Sequence, residues 1–140
     1  VDVEFSVPFV MGMPRPRVTQ HGTYTPKRAV QAKYIVSSAF LLAQGDSKPS
    51  ALDDPREALD VTITTSRPLP KSRPKKEAAE RDTFKPDCDN VAKLILDALN
   101  GIAYHDDAQV TTLHVIKADR KRVTSARTTV RIKTIKKEDK

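Results

Sequence analysis

Five apolar residues at every second position, Val1, Val3, Phe5, Val7 and Phe9, alternate with Asp2, Glu4 and Ser6. A period of two puts one set of side chains on one face of an extended chain, so it predicts a half-buried strand. The pattern returns in Leu59, Val61 and Ile63 against Asp60, Thr62 and Thr64. It returns again at residues 125–135, with Arg127, Thr129, Arg131 and Lys133 on one face and Val130 and Ile132 on the other. A further strand is expected over about 109–117. Two segments change to helical spacing. From Pro26 onward, Ala32, Ile35, Val36, Ala39, Phe40 and Ala43 share a face, and Gly45 is a fitting stop. From about 88 to 100, Val91, Leu94, Ile95, Ala98 and Leu99 form a stripe that Asn100-Gly101 ends. Residues 11–18 are turn-rich and basic, and His21-Gly22 predicts a tight turn before Tyr24. The order reads β-(β-turn)-α-β-loop-α-β-β. That is an α+β fold, a single domain over 1–135 with a mixed β-sheet and two main helices, followed by a basic tail at 136–140.

Two segments carry no periodic signal. Residues 45–56 cluster Ser, Pro and Asp and read as a surface loop. Residues 67–77 hold three prolines and five basic residues and read as a mobile basic loop.

The 140 residues suffice for one domain with one modest core. Hydrophobic residues make up 38% and charged residues 31%, a globular balance, and no apolar run is long enough to span a bilayer. The start, Val1-Asp2-Val3-Glu4, lacks the basic and apolar regions of a signal peptide, so the cytosol is the simplest compartment. A lone cysteine, Cys88, excludes an internal disulfide and a cysteine-rich zinc site. The net charge is +7 and the pI is near 9.6, which points to a polyanionic partner, nucleic acid or an anionic membrane. Residues 117–140 hold ten Lys or Arg against Asp119, Glu138 and Asp139, an excess equal to the charge of the whole chain. Arg15, Arg17, Lys27 and Arg28 form a second basic cluster, and Lys71, Arg73, Lys75 and Lys76 a third.

Against this basic background stands Lys85-Pro86-Asp87-Cys88-Asp89-Asn90, with two carboxylates where the second helix begins. Helix capping alone would account for one such Asp, because free amides and the macrodipole favour negative charge there. A second acidic pair, Asp106-Asp107, follows the helix, and a strand returning antiparallel would bring it back towards the helix start. Lys93 lies one turn after Asp89, and Asp97 one turn after Lys93, spacing that also suits an ordinary salt-bridge ladder. Gathered carboxylates repel, by about 4 kcal/mol per pair at about 4 Å and an effective dielectric of about 20. A shared proton would offset that repulsion, but a hard divalent cation is better matched to oxygen ligands, and Mg²⁺ completes its shell with water and substrate phosphate. Basic groups to hold a polyanion and a carboxylate-bound metal to activate water form a plausible phosphodiester-cleaving site.

Asp87-x-Asp89-Asn90-x-x-Lys93, then Asp97-Ala98-Leu99-Asn100-Gly101, then Asp106-Asp107-x-Gln109-Val110 resembles the signature of the RusA family of Holliday junction resolvases. Gly12-Met13-Pro14-Arg15-Pro16-Arg17, followed by Tyr24-Thr25-Pro26, resembles that family's opening segment. The resemblance covers about residues 1–117, most specifically 85–110. It implies a homodimeric, Mg²⁺-dependent endonuclease that nicks two strands of a four-way DNA junction symmetrically. It implies Asp87, Asp89 and Asp107 as metal-binding carboxylates and Lys93 as the catalytic helix lysine, with Asp106 behind the third ligand. Cys88 departs from the small apolar residue usual there, and the basic loop at 67–76 is less clearly matched.

Other readings compete at single residues. Cys88 is better read as a small first-turn residue than as a ligand, since a thiolate suits Mg²⁺ poorly. His105 adjoins Asp106, where a base competes with an ordinary turn histidine, and His21 and His114 carry no signal. Tyr24 suits either base stacking or packing on the first helix. Pro86-Asp87 opens a PD-(D/E)xK pattern, but no convincing D/E-x-K follows on a later strand. Two other functions use the same residues: a metal nuclease acting on flaps or other branched DNA, and a DNA-binding module without catalysis.

Overall fold

The computed structural model describes residues 2–15, 17–20, 22–24 and 26–136, without the side chains of Arg17, Thr19, Thr23 and Tyr24. The alternation at the start becomes β1 (Asp2–Val7), with Val3, Phe5 and Val7 buried and Asp2, Glu4 and Ser6 exposed. A hairpin of β2 (Arg17–Thr19) and β3 (Gly22–Tyr24) follows, and Gly22 adopts φ 117°, a conformation that side chains beyond glycine rarely take. The long helix α1 (Lys27–Gln44) begins after Pro26 and stops at Gly45, whose φ is 74°. A short helix α2 (Ser50–Asp53) lies inside the segment that reads as a loop. Then come β4 (Leu59–Ser66), β5 (Ala79–Glu80), α3 (Cys88–Leu99), a 3-10 turn at Asp107–Gln109, β6 (Val110–Lys117), β7 (Arg120–Lys121) and β8 (Arg127–Thr134).

The main sheet has the order β1-β8-β4-β6. β8 pairs antiparallel with both β1 and β4, and β6 pairs parallel with β4, so the sheet is mixed as the alternation and element order predict. Its inner face carries Val3, Phe5, Val7, Leu59, Val61, Ile63, Val130 and Ile132, all buried under α1 and α3. The other face is polar, so α+β layering comes from strands with one apolar side and two helices to cover it. α3 buries Val91, Leu94, Ile95, Ala98 and Leu99, the stripe read from the sequence, together with Ala92. α1 buries a narrower line, Ala29, Ala32, Val36 and Phe40. Ile35 stays 42% exposed and Ala43 lies in solvent, because the sheet is covered from one side of α1 only.

The loop at 67–77 is anchored rather than loose. Arg67 makes a two-pronged ion pair with the buried carboxylate of Asp82, at 2.9 and 2.5 Å. The Leu69 amide donates to the Lys121 carbonyl, and Leu69 itself is buried. Arg73 is held by Glu80, and the Arg122 guanidinium donates to the carbonyls of Arg73, Pro74 and Glu77. Arg67 and Arg73 find acids outside the loop, and Arg122 from outside satisfies carbonyls within it, which composition does not show.

Candidate metal and nucleic acid site

The start of α3 is built by two segments that are distant in sequence. The Met13 amide donates to the Asn90 carbonyl at 3.0 Å, which seats residues 12–13 on the first helical turn. Gly12 is required by the closeness of that approach. A Cβ there would meet the Cβ atoms of Pro86 at 2.9 Å and Asn90 at 3.0 Å. Val10, Met11, Gly12, Met13, Arg28, Lys85, Pro86 and Asn90 line a cleft of about 460 Å³ at this junction. The opening Gly-Met-Pro-Arg motif and the Asp-x-Asp-Asn motif are therefore one structural unit.

Asp87 occupies the N-cap position of α3, yet its side chain makes no capping hydrogen bond. Its carboxylate accepts from the Lys85 ammonium at 2.9 Å. That pair is largely exposed, so its attraction is screened and contributes little to stability. Asp89, in the first turn, and Lys93, one turn on, are both exposed. Among the described residues no ion pair joins Asp89, Lys93 and Asp97, so the salt-bridge ladder that their spacing allows does not form.

The second acidic pair is divided between two tasks. Asp106 accepts a hydrogen bond from the Ala108 amide at 3.2 Å, while Gln109 Oε1 accepts from the Asp106 amide at 3.0 Å, a reciprocal capping box. Gln109 is buried, and its side-chain amide reaches the carbonyls of Ala51, Asp54 and Glu57 at 3.0–3.1 Å. It thus ties the acidic turn to α2 and the chain beyond it. Asp107 is exposed, and among the described residues no hydrogen bond or ion pair of its carboxylate is found.

The two pairs stand apart within one chain. β6 runs antiparallel to α3, as the sequence suggests, but Asp107 precedes the strand and so lies near the end of the helix, not its start. The Cys88 thiol is 3.9 Å from the Val115 carbonyl, late in β6. At the other end, the Tyr104 hydroxyl donates to the Leu96 carbonyl at 2.6 Å. Burial and the nearby charges of Asp107, Asp97 and Asp106 push that phenol far above its ordinary range. Asp107 therefore lies towards the Asp97 end of the helix, and eight residues of helix from Asp89 to Asp97 span about 12 Å. Among the described residues no group of three or more His, Cys, Asp or Glu side chains is placed to hold a metal ion. The Asp87 and Asp89 carboxylates suit a hard dication by chemistry, being oxygen donors in solvent without helix amides to satisfy. Mg²⁺ needs only one or two of them.

Arg15, Lys27 and Arg28 are exposed around the α3 start, and Lys71, Lys75 and Lys76 are exposed on the anchored loop. Arg73 is half-buried and committed to Glu80 at 2.9 Å. The side chains of Arg17 and Tyr24, all of His21, and residues 137–140 of the basic tail lie outside the described residues. His105 and His114 are exposed, and Cys88 is an exposed free thiol. Lys85 and Asp82 escaped the sequence reading as site-building residues, and Gln109 entered it only as part of the downstream motif. Only the position of Lys85 two residues before Asp87 signals its role; the other two show themselves through partners 15 and more than 50 residues away. Asp82 is the sharpest case. Burial works to raise its carboxyl, but the Arg67 hydrogen bond and charge, the Phe84 amide and Lys117 outweigh that and hold it below the ordinary carboxylate range. Lys117 also donates to the Phe84 carbonyl, so this buried cluster fixes the segment leading into α3.

No helix among the described residues is long and apolar enough to cross a membrane. The chain is 35% identical over 126 residues to a Bacillus subtilis (strain 168) protein named "Uncharacterized protein YqaN", covering 82% of this chain and 86% of that one. The family model described as "Endodeoxyribonuclease RusA" matches residues 8–133, which takes in the Gly12–Arg15 segment, both acidic pairs, β6 and almost all of β8. With nearly the whole chain matched, this protein belongs to the RusA endodeoxyribonuclease family.

Proposed function

We propose that this chain is a Mg²⁺-dependent endonuclease that resolves four-way DNA junctions as a homodimer, by paired symmetric nicks. The observation that carries the reading is the helix start where Asp87 and Asp89 make no capping bonds and face solvent beside Lys85 and Arg28. A capping role leaves a carboxylate bonded to amides; these two are left for a ligand. Asp87 and Asp89 would hold the metal, and Asp107, which stands apart from them within one chain, would join them only in the homodimer. A bound dication would supply an activated water and charge neutralisation at the scissile phosphate. The chain's own contribution is to position that phosphate. Gly12 and Met13, packed against Asn90, bring the backbone close to the site, and Arg15, Lys27, Arg28 and the exposed lysines of the 67–77 loop attract the polyanion. Lys93 is placed one turn from Asp89 to offset charge developing on the phosphate. A four-way junction has approximate two-fold symmetry, and two matched nicks need two sites related by the same symmetry.

The test is cleavage of a four-way junction, a flap and a linear duplex, each with Mg²⁺ and with EDTA. Metal-dependent cutting of the junction in preference to the other two is expected. Equal cutting of all three would remove the junction specificity, and binding without cutting would leave a DNA-binding module.

A further inference from the structure

The segment that carries the chain into Asp87 has no regular structure to hold it. Residues 81–86 belong to no helix or strand. Among the described residues, none of the backbone hydrogen bonds found outside the regular elements involves them. Their hold is made by side chains. Asp82, whose side chain is 1% exposed, lies between Arg67 and Lys117. Arg67 directly follows β4 and Lys117 ends β6, and these strands are parallel neighbours, so both cations stand at one end of the sheet. Arg67 grips the Asp82 carboxylate at 2.9 and 2.5 Å, and the Phe84 amide donates to it at 3.4 Å. The Lys117 ammonium lies 4.0 Å from the same carboxylate and donates to the Phe84 carbonyl. The Arg120 guanidinium covers the Phe84 ring at 4.7 Å. Phe84 is held at its amide, its carbonyl and its ring, just before Lys85, Pro86 and Asp87.

We propose that Asp82, through Arg67 and Lys117, is a positioning residue for DNA cleavage that sets where the Asp87 carboxylate stands relative to the basic loop at 67–77. The inference rests on reading Asp87 and Asp89 as metal ligands. Asp82 is too deeply buried to meet a phosphate, and its role follows from what it joins. Arg67 is the root of the loop that bears the exposed Lys71, Lys75 and Lys76. Phe84 is the root of the stretch that bears Lys85 and Asp87. A polyanion drawn to the loop therefore meets a carboxylate at a fixed place. Stability alone does not account for the arrangement. Desolvation offsets the attraction in a buried ion pair, and apolar side chains of similar volume often replace one without net loss. Apolar packing, however, supplies no directed bond to a carbonyl or an amide. Placement matters here, because a shift of about 1 Å at a reacting centre costs on the order of 100-fold in rate.

The test compares Asp82→Asn and Lys117→Met with Val36→Ala. Lys117→Met removes the grip on the Phe84 carbonyl and leaves the Arg67–Asp82 pair in place. Val36 is buried on α1, so its truncation lowers stability without touching the cluster. Each full chain is assayed at a temperature where circular dichroism shows it folded. With junction saturating, Asp82→Asn and Lys117→Met should cleave about 10- to 100-fold more slowly, with a junction Kd within about 2-fold of the wild type. The Mg²⁺ concentration for half-maximal cleavage should rise in both and stay unchanged in Val36→Ala. Hydrogen exchange without DNA or metal gives a readout independent of cleavage. Amides of the 83–87 segment should gain exchange in both cluster variants by more than those of β8, and Val36→Ala should show no such local gain. Wild-type cleavage by either cluster variant overturns the proposal. So does an equal rate loss in Val36→Ala, unchanged exchange at 83–87, or a rate loss explained by weaker junction binding. Normal cleavage by Asp87→Asn, with the segment loosened in the cluster variants, instead overturns the metal-ligand reading on which the proposal rests.

Discussion

Asp87-x-Asp89 and Asp106-Asp107 are both acidic pairs at the start of a helical turn, and the fold uses them differently. At the second, Asp106 accepts the Ala108 amide and Gln109 answers from the other side. At the first, the N-cap residue makes no such bond and turns to Lys85 instead. Free helix amides welcome negative charge at both places, so the difference lies in which carboxylate the local backbone engages. A carboxylate bonded to amides is committed to structure. One left in solvent beside cationic side chains is available to a metal or, through that metal, to a phosphate. By this criterion Asp106 is structural, and Asp87, Asp89 and Asp107 are carboxylates without an amide partner, as the proposed metal site requires.

The largest effect that tests this contrast is on cleavage. Asp87→Asn, Asp89→Asn and Asp107→Asn should each lower junction cleavage by about 100-fold or more, the scale of losing one preorganised electrostatic group. Junction binding in a gel shift should hold or tighten, since each removes a negative charge facing DNA. Lys93→Ala should reduce turnover more than affinity, because its charge matters most as the phosphate charge develops. Normal cleavage by both Asp87→Asn and Asp89→Asn would erase the distinction between the pairs.

Next in size is Gln109→Leu. It strips the donor from three carbonyls around a buried position and should cost about 2–3 kcal/mol in urea unfolding. A loss within the error of the extrapolation would mean that the acidic turn is not held as described.

Asp82 supplies an acid-side test of intermediate size. Its folded carboxyl lies below the ordinary range. Its contribution is therefore present above the unfolded-state value and lost as pH falls through the depressed folded value. Asp82→Asn should destabilise at neutral pH and flatten the fall in melting temperature below about pH 4. A variant whose melting temperature tracks the wild type at every pH would place the acid limb on other groups.

The smallest effect sharpens the comparison within one pair. Asp106→Ala should cost about 1 kcal/mol and Asp106→Asn little, since Asn caps as well as Asp. Asp107→Ala should leave the unfolding midpoint nearly unchanged while removing cleavage. Equal destabilisation by Asp106→Ala and Asp107→Ala would end the assignment of one cap and one free carboxylate.

Much of the fold was legible because its strands are buried on one side only. Alternation at residues 3–7, 59–63 and 127–133 is a direct record of a sheet with one wet face. The stripe on α3 matched because Val91, Leu94, Ile95, Ala98 and Leu99 are all buried. α1 was read too broadly, since Ile35 and Ala43 are apolar without being buried. Residues 67–77 read as mobile because proline and lysine carry no period, and the acids that pin Arg67 and Arg73 lie beyond the segment. The short α2 was invisible, four residues being too few to show a helical stripe.

By itself the sequence determined the α+β class, the positions of the main strands and of α3, the excess of positive charge and the residues of the Asp-x-Asp-Asn motif. These are local properties, set by side-chain periodicity and by residue type. Only the tertiary structure decided that Gly12 and Met13 build the start of α3, that Asp106 caps while Asp107 does not, and that Asp107 lies towards the other end of α3 from Asp89. Those depend on where β6 begins relative to α3 and on which atoms each carboxylate meets. Spacing along a chain does not encode direction in space: an antiparallel return brings back the end of the strand that follows, not its beginning.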